Sequence, residues 1–339
     1  TSGIFGTGPI TMGAATTDKS QLYFGSTLTV NYDLVVNSEL GTDVPGTFRV
    51  ESTGVVLAGA IDANLADATF SVNNAAGRTI SATGPITGAS GVKVLTQGAG
   101  GITVTLSGNN TYNGATTVSG GTLKAGSTAG LSSNSAVSVA SGATLDLGGY
   151  DNTISSLSTS TGTITDSSAA GNGGTLKIAS AMPTGPSAQF FTGSLGVQLY
   201  GGNQANTILS NTANDYSGGT IIGNGSGTTH TRVLLGSGTL GAGSPGAVTS
   251  GIFGTGPITM GGATTDESQL YFGSPLTVNY DIVVNSAVGT DVPGAFRAEN
   301  AGIVFAGAID ANLADATFSA NNAAGRTISV TGQITGDSG

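Results

Sequence analysis

The sequence predicts an all-β protein, a right-handed parallel β-helix (β-solenoid) that is elongated and continuous across tandem repeats. Three observations carry that expectation. Residues 249–339 replay residues 1–91 at a constant offset of 248, so that TSGIFGTGPITMG and IDANLADATFS each occur twice; roughly four-fifths of the overlapping positions are identical, a spacing that marks one unit built to be followed by its own copy. Nearly every apolar stretch is four to six residues long and alternates with period two, the pattern of a strand with one buried face. The intervening clusters are Gly, Asn and Ser, whose backbones accept the left-handed angles of sharp corners.

The strands follow in order. Leu28-Thr29-Val30, Gly101-Ile102-Thr103-Val104-Thr105-Leu106, Ala136-Val137-Ser138-Val139 and Ala143-Thr144-Leu145-Asp146-Leu147 all alternate, and helical stripes are essentially absent. The tract Ala60–Ala68 has helix-forming composition but is short, and reads as a loop or a single turn. A sandwich or barrel would need a linker between copies, yet Leu240–Phe253 keeps the strand-and-turn texture through the seam. Residues 1–248 are therefore one full unit, and residues 249–339 are the start of the next copy in the same solenoid. At about 20–25 residues per rung and ~4.8 Å between paired strands, one unit makes roughly 10–12 rungs over ~50–60 Å.

Composition bounds function by exclusion. The 339 residues carry 58 Gly, 9 basic and 19 acidic residues, for a net charge of −10. That balance repels phosphate backbones and anionic lipid surfaces, so nucleic acid is not an expected partner. With 0 Cys, disulfides and thiolate metal sites are ruled out. No run approaches the ~18 apolar residues of a membrane helix, and Thr1 opens no signal-peptide pattern, as expected of an internal fragment.

A finer repeat lies inside the unit. Asn110, Tyr112, Gly114, Thr116 and Val118 match Asn214, Tyr216, Gly218, Thr220 and Ile222 as N-x-Y-x-G-x-T-x-[VI], and Gly-Thr-Leu strand starts follow at 121–123 and 238–240. The run from Val104 to Leu123 resembles the passenger-associated transport repeat, also called the autotransporter-associated β-strand repeat, found in very large secreted bacterial surface proteins. The likeness is specific over about 26 residues at 101–126 and weaker at 206–243, where an insertion at 223–231 separates motif from strand. It implies a parallel β-helix in an exported bacterial surface protein. The ten motif residues are structural on that reading.

Candidate sites are weighed against plainer roles. Asp62 with Asp67, repeated as Asp310 with Asp315 and each followed by an arginine (Arg78, Arg326), could act as acid and base or hold Ca²⁺. The glycine-aspartate nonapeptide of calcium-binding β-rolls is absent, and solvated turn carboxylates are the expectation. His230, the one histidine, reads as a loop residue, and Gly223–Gly227 lacks the lysine and the helix of a phosphate loop. Lys19 becomes Glu267 and Glu39 becomes Ala287, changes that suit surface positions. Tyr23, Phe24, Tyr32, Phe48 and Phe70, with Tyr271, Phe272, Tyr280, Phe296 and Phe318, are expected in the core. Of Phe190 and Phe191, strand alternation sends one outward. Asn73-Asn74, Asn109-Asn110 and Asn321-Asn322 are candidates for side-chain ladders between rungs. The expectation is a structural repeat of a secreted fibre or surface layer that stacks end to end, with other copies of itself as partner and with no catalytic residue, cofactor or metal. The alternative is an adhesin passenger that binds surface glycans or proteins through residues 180–206.

Overall fold

The computed structural model describes residues 6–38, 46–73, 76–97, 101–158, 161–179, 190–199, 211–223, 230–235, 238–286, 294–320 and 325–337. Pro183, Pro186, Glu39, Ala287, Asn74, Asn321, Asn322 and the Gly-rich residues 224–227 lie outside them. The described residues form an all-β molecule without a helix, whose parallel strands stack as a β-solenoid. Two compact units divide the chain, Thr1–Thr165 and Asp166–Gly339. The repeat seam at residue 248 thus falls inside the second unit.

In the first unit each rung lays down up to three short strands, one on each of three parallel sheets. The first sheet stacks Ile10–Met12, Leu34–Val36, Ile61–Ala63 and Ile86–Thr87. The second runs from Leu22–Phe24 through Phe48–Val50, Ala68–Asn73, Val92–Gln97, Thr116–Val118 and Ala136–Val139 to Ser156–Leu157. The third runs from Thr29–Val30 through Val55–Leu57, Arg78–Ala82, Ile102–Leu106, Thr122–Ala125 and Thr144–Asp146 to Thr163–Asp166 and beyond. Partners such as Ile10 and Leu34, or Thr116 and Val137, lie 24 and 21 residues apart, within the rung length expected from the sequence. Alternation decides which side chains enter the core: Val92, Val94, Ile102, Val104 and Leu106 point in, while Lys93 and Thr105 point out.

The second unit repeats the plan. One sheet stacks Thr175–Ile178, Gly196–Leu199, Thr220–Ile222, Ile258–Met260, Ile282–Val284, Ile309–Asp310 and Ile334–Thr335. A second carries His230–Leu235, Glu267–Phe272, Phe296–Ala298 and Phe318–Ala320, and a third carries Gly238–Leu240, Leu276–Val278, Ile303–Phe305 and Ile328–Val330. All three sheets cross the repeat seam. Thr220 pairs with Ile258, Leu235 with Phe272 and Leu240 with Val278, so the hydrogen-bond ladder passes from one copy into the next.

Two expectations need correction. The tract Ala60–Ala68 is neither loop nor helical turn throughout: Ile61–Ala63 is a strand and Ala68 opens another, because Ile61, Ala63 and Ala68 are buried in the stack. Tertiary burial overrides the helical preference of alanine there. The seam also departs from the uniform texture read in the sequence. Thr220 and its partner Ile258 are 38 residues apart, and the added chain includes an antiparallel hairpin of Ala242–Ser244 and Ala247–Ser250. Gly243 and Gly246, at φ of 106° and 71°, permit that reversal.

The core is a column of aliphatic and aromatic side chains. Phe48 lies 5.1 Å from Phe70, and Phe296 lies 5.1 Å from Phe318. Phe24, Phe272 and Tyr280 are buried as expected. Tyr23 is not: it stands 60% exposed on the outward side of its strand, with the Arg49 guanidinium 5.2 Å over its ring. Its neighbours Leu22 and Phe24 face the other way, so the pleat excludes it from the core. Tyr32, Tyr271 and Phe318 are half-buried.

Differences between the copies conserve volume rung by rung. Val50 becomes Ala298 while Leu57, on the same rung, becomes Phe305, which packs 4.9 Å from Phe296 and 5.3 Å from Phe272. One rung on, Val72 becomes Ala320 and Ala82 becomes Val330. Val50, Leu57, Val72 and Ala82 all point inward, and a close-packed interior accepts such paired changes more readily than either alone.

Candidate functional site

The two N-x-Y-x-G-x-T-x-[VI] segments build corners where one sheet of the solenoid lacks a strand. In the first unit the sheet that ends at Ile86–Thr87 is continued by Asn110 rather than by a strand. Its Oδ1 accepts the Ile86 N–H at 2.7 Å and its Nδ2 donates to the Gly130 carbonyl at 2.7 Å. A side-chain amide here stands in for the peptide unit that a strand would supply, and it leaves both neighbouring rungs satisfied. The residue is 4% exposed, so water does not offer a substitute.

The rest of the motif closes the corner. Tyr112 is fully buried, its hydroxyl 2.8 Å from Thr116 Oγ1, which in turn lies 2.8 Å from Ser135 Oγ. Ser132 Oγ donates to the Tyr112 carbonyl at 2.6 Å. Burial raises the Tyr112 pKa, against the opposing hydrogen bonds from Thr116 and Ser132. Gly114 is needed for a close approach: a Cβ would lie 2.3 Å from the Gly91 nitrogen. Val118 points into the core beside Thr116 on the strand Thr116–Val118.

The second copy of the motif repeats this geometry within the second unit. Asn214 Oδ1 accepts the Phe191 N–H at 3.0 Å, and the Asn214 carbonyl accepts the Gly251 N–H at 2.9 Å. Its buried Nδ2 finds no partner among the described residues. Tyr216 lies with its hydroxyl 2.6 Å from Thr220 Oγ1 and its ring 5.9 Å from Phe191. A Cβ on Gly218 would lie 2.6 Å from the Leu195 carbonyl oxygen, and Ile222 is buried. Burial raises the Tyr216 pKa. Phe191 is in the core and Phe190 is half-buried, as alternation requires.

The acidic candidates sit apart from any cluster. Asp67 Oδ1 accepts the Gly91 N–H at 2.7 Å and its Oδ2 lies 3.6 Å from Lys93 Nζ, so it clamps its corner to the next rung. Asp62 and Asp310 are half-buried strand residues, paired to Val35 and Val283 respectively, and the Asp315 carbonyl accepts the Thr317 N–H at 2.9 Å. Other carboxylates bond backbone in the same way: Asp33 to Ala60, Asp281 to Ala308, and Asp166 to Ser168 and Gly174. The acidic excess thus serves corners, where a carboxylate satisfies N–H groups that no strand reaches. Among the described residues, no group of three or more His, Cys, Asp or Glu is placed to hold a metal.

Among the described residues, asparagine ladders form at positions beyond those named from the sequence. Asn64 Nδ2 donates to Asn37 Oδ1 at 3.0 Å, Asn134 to Asn113 at 3.1 Å and Asn312 to Asn285 at 2.9 Å. Asn110 bonds backbone instead, because its corner lacks a stacked asparagine. The sequence does not single out Asn152, which opens the strand Asn152–Ile154 and holds only the preceding corner: its Oδ1 accepts the Leu131 N–H at 2.9 Å and its Nδ2 donates to the Ser127 carbonyl at 3.0 Å. The Asn-x-Ile spacing at 152–154 was its only signal. His230, expected in a loop, begins the strand His230–Leu235. Glu267 is half-buried on the strand that pairs with it, whereas Lys19 is exposed.

This corner geometry accompanies a family match over the same residues. Residues 97–125 match the model of the passenger-associated transport repeat. The matched stretch comprises the strand Ile102–Leu106, the Asn110–Gly114 corner and the strands Thr116–Val118 and Thr122–Ala125. The repeat and the β-solenoid fold together fit an autotransporter passenger, which is a surface or secreted segment. No curated protein and no solved structure matches the chain. Among the described residues no helix is long and apolar enough to cross a membrane.

Proposed function

We propose that the chain is a structural repeat of a secreted bacterial extracellular fibre or surface layer, which assembles by end-to-end stacking of β-solenoid units. The observation that carries this reading is the ladder across the seam: three parallel sheets pass from one copy to the next with no linker between them. A unit joined to its neighbour by main-chain hydrogen bonds resists extension as one body, and adding copies adds length. Its work is mechanical and needs no turnover, cofactor or bound metal. The partners are other copies of the same repeat.

The residues support this in kind. Side chains with chemical reach are spent on corners: Asn110 and Asn214 on missing strands, Asn152, Asp33, Asp67 and Asp281 on backbone groups of a neighbouring corner or rung. Glycines at the corners let rungs approach to van der Waals contact. Electron microscopy of purified material checks the reading: uniform filaments with an axial period of ~50–60 Å, set by ~4.8 Å per rung, are the expected result. Saturable binding to a glycan array without filaments would replace it with an adhesin passenger.

A further inference from the structure

The internal repeat places the same rung in two settings. In the second unit, Ile258–Met260, Glu267–Phe272 and Leu276–Val278 are each paired on both edges. Thr220–Ile222, His230–Leu235 and Gly238–Leu240 lie on one side, and Ile282–Val284, Phe296–Ala298 and Ile303–Phe305 lie on the other. Their equivalents in the first unit, Ile10–Met12, Leu22–Phe24 and Thr29–Val30, are the terminal strands of their sheets among the described residues. Three parallel edges therefore end side by side on one face.

Side chains report the same difference. Leu28 is 37% exposed, whereas its equivalent Leu276 is 4% exposed. Ile10 is half-buried and Ile258 fully buried. Tyr271 lies between two guanidinium groups, Arg232 at 5.7 Å and Arg297 at 5.3 Å, whereas Tyr23 carries Arg49 on one side. A cavity of about 520 Å³ opens between Thr7, Pro9, Thr29, Asn31, Tyr32 and Asp33. At the equivalent place in the second unit, Gly246 and Val248 wall the space down to about 170 Å³. There Asn279 Nδ2 donates to the Gly241 carbonyl at 2.9 Å, the Asn279 carbonyl accepts the Gly246 N–H at 2.9 Å, and the Tyr280 hydroxyl donates to the Gly254 carbonyl at 3.1 Å.

We propose that the face formed by Ile10–Met12, Leu22–Phe24 and Thr29–Val30 is a docking socket for residues 211–248 of a further copy of the repeat. The occupant is fixed by the second unit, where residues of that sequence already fill the equivalent face. The register follows from the same pairs: Thr220 opposite Ile10, Ile222 opposite Met12, Leu235 opposite Phe24 and Leu240 opposite Val30. Arg232 then covers the second side of the Tyr23 ring, and Leu28 is sealed as Leu276 is. Edge strands pair with added strands through backbone groups, and the alternating pockets supply the selectivity. This names the contact that end-to-end stacking uses, and so it rests on the fibre reading above.

The test adds a synthetic peptide of residues 211–248 to the full chain and follows amide hydrogen exchange. The expected result is at least about ten-fold slower exchange, roughly one factor of ten in the local opening constant, across Ile10–Met12, Leu22–Phe24 and Thr29–Val30, with none at Ile258–Met260. A scrambled peptide gives no protection, and Leu28→Lys, at a position exposed in the free chain, removes it while leaving the rest of the exchange pattern intact. Attaching residues 206–248 ahead of Thr1 produces the same protection without relying on the peptide's solubility. Unchanged exchange at the three strands in both experiments, or equal protection by the scrambled peptide, overturns the socket. Filaments formed by a chain that fails this test keep the fibre reading and discard the socket; protection without filaments does the reverse.

Discussion

Asn110 and Asn214 occupy one motif position, but their amides are used differently. Asn110 bonds Ile86 below and Gly130 above, whereas Asn214 has a partner for Oδ1 and none among the described residues for Nδ2. Removing a side chain that satisfies two buried backbone groups orphans both, at about 1–3 kcal/mol each. Asn110→Ala is therefore expected to cost about 2–6 kcal/mol, and Asn214→Ala about half of that, as read from denaturation midpoints and local amide exchange; equal losses would contradict the assigned roles. The motif itself was legible, since its spacing recurs and its resemblance to a transport repeat is specific. What the sequence did not disclose is that the asparagine amide replaces a strand, because nothing in N-x-Y-x-G says which sheet is missing there. For the same reason the sequence alone does not place the ladder at Asn37–Asn64: stacking partners 27 residues apart depend on rung length, which varies.

Three buried tyrosines also give the molecule an alkaline limit. Burial raises the pKa of Tyr112 and Tyr216 and takes that of Tyr280 up to about 12, opposed there by the Phe253 N–H. An unfolded tyrosine ionises near pH ~10. Below that value all three are neutral in both states and their contribution is complete. As pH rises beyond it the unfolded chain loses protons first, so stability falls through the folded values. Tyrosinate absorbance of these groups is expected to appear together with loss of β structure, at a pH above the ordinary tyrosine value of ~10; ionisation of all three at that ordinary pH with the fold intact would contradict their burial.

Among the elements, each rung behaves as a packing unit. The exchange of the buried Val72 and Ala82 for Ala320 and Val330 keeps the summed side-chain volume of the rung while moving it from one sheet to another. Val72→Ala alone is expected to cost on the order of 2 kcal/mol through the cavity it leaves. Adding Ala82→Val should restore a good part of that loss, so that the double-mutant cycle shows a coupling of about 1 kcal/mol; strict additivity in denaturation experiments would show that the two positions do not share a space. Most strands were legible for the reason that makes this possible. Runs such as Ile102–Leu106 and Ala136–Val139 alternate because one face is buried and the other wet. The misses share a cause. At Ile61–Ala63 alanine-rich composition masks a strand, and at Tyr23 an aromatic side chain sits on the outward half of the alternation, where composition alone cannot place it.

At the scale of the molecule, the repeat offset marks the chain as modular, and the seam at 248 falls inside the second compact unit, Asp166–Gly339, where three sheets cross it. Among the described residues the antiparallel hairpin at Ala242–Ser250 departs from the parallel plan there, and the ladder passes it intact, with the Gly246 N–H donating to the Asn279 carbonyl on the next rung. The central claim is that a parallel ladder joins the two copies in a fixed register, and the absence of cysteine from the chain makes a disulfide a clean reporter of it. Ile221 pairs with Thr259, and Thr259 with Val283 on the following rung. Paired strands stand ~4.8 Å apart and alternate rungs about twice that, while a disulfide spans Cα separations up to roughly 7 Å. The account predicts that the Ile221→Cys/Thr259→Cys chain forms an intramolecular bridge in near-quantitative yield on mild oxidation, and that Ile221→Cys/Val283→Cys does not; bridging in the second pair, or its absence in the first, would contradict it.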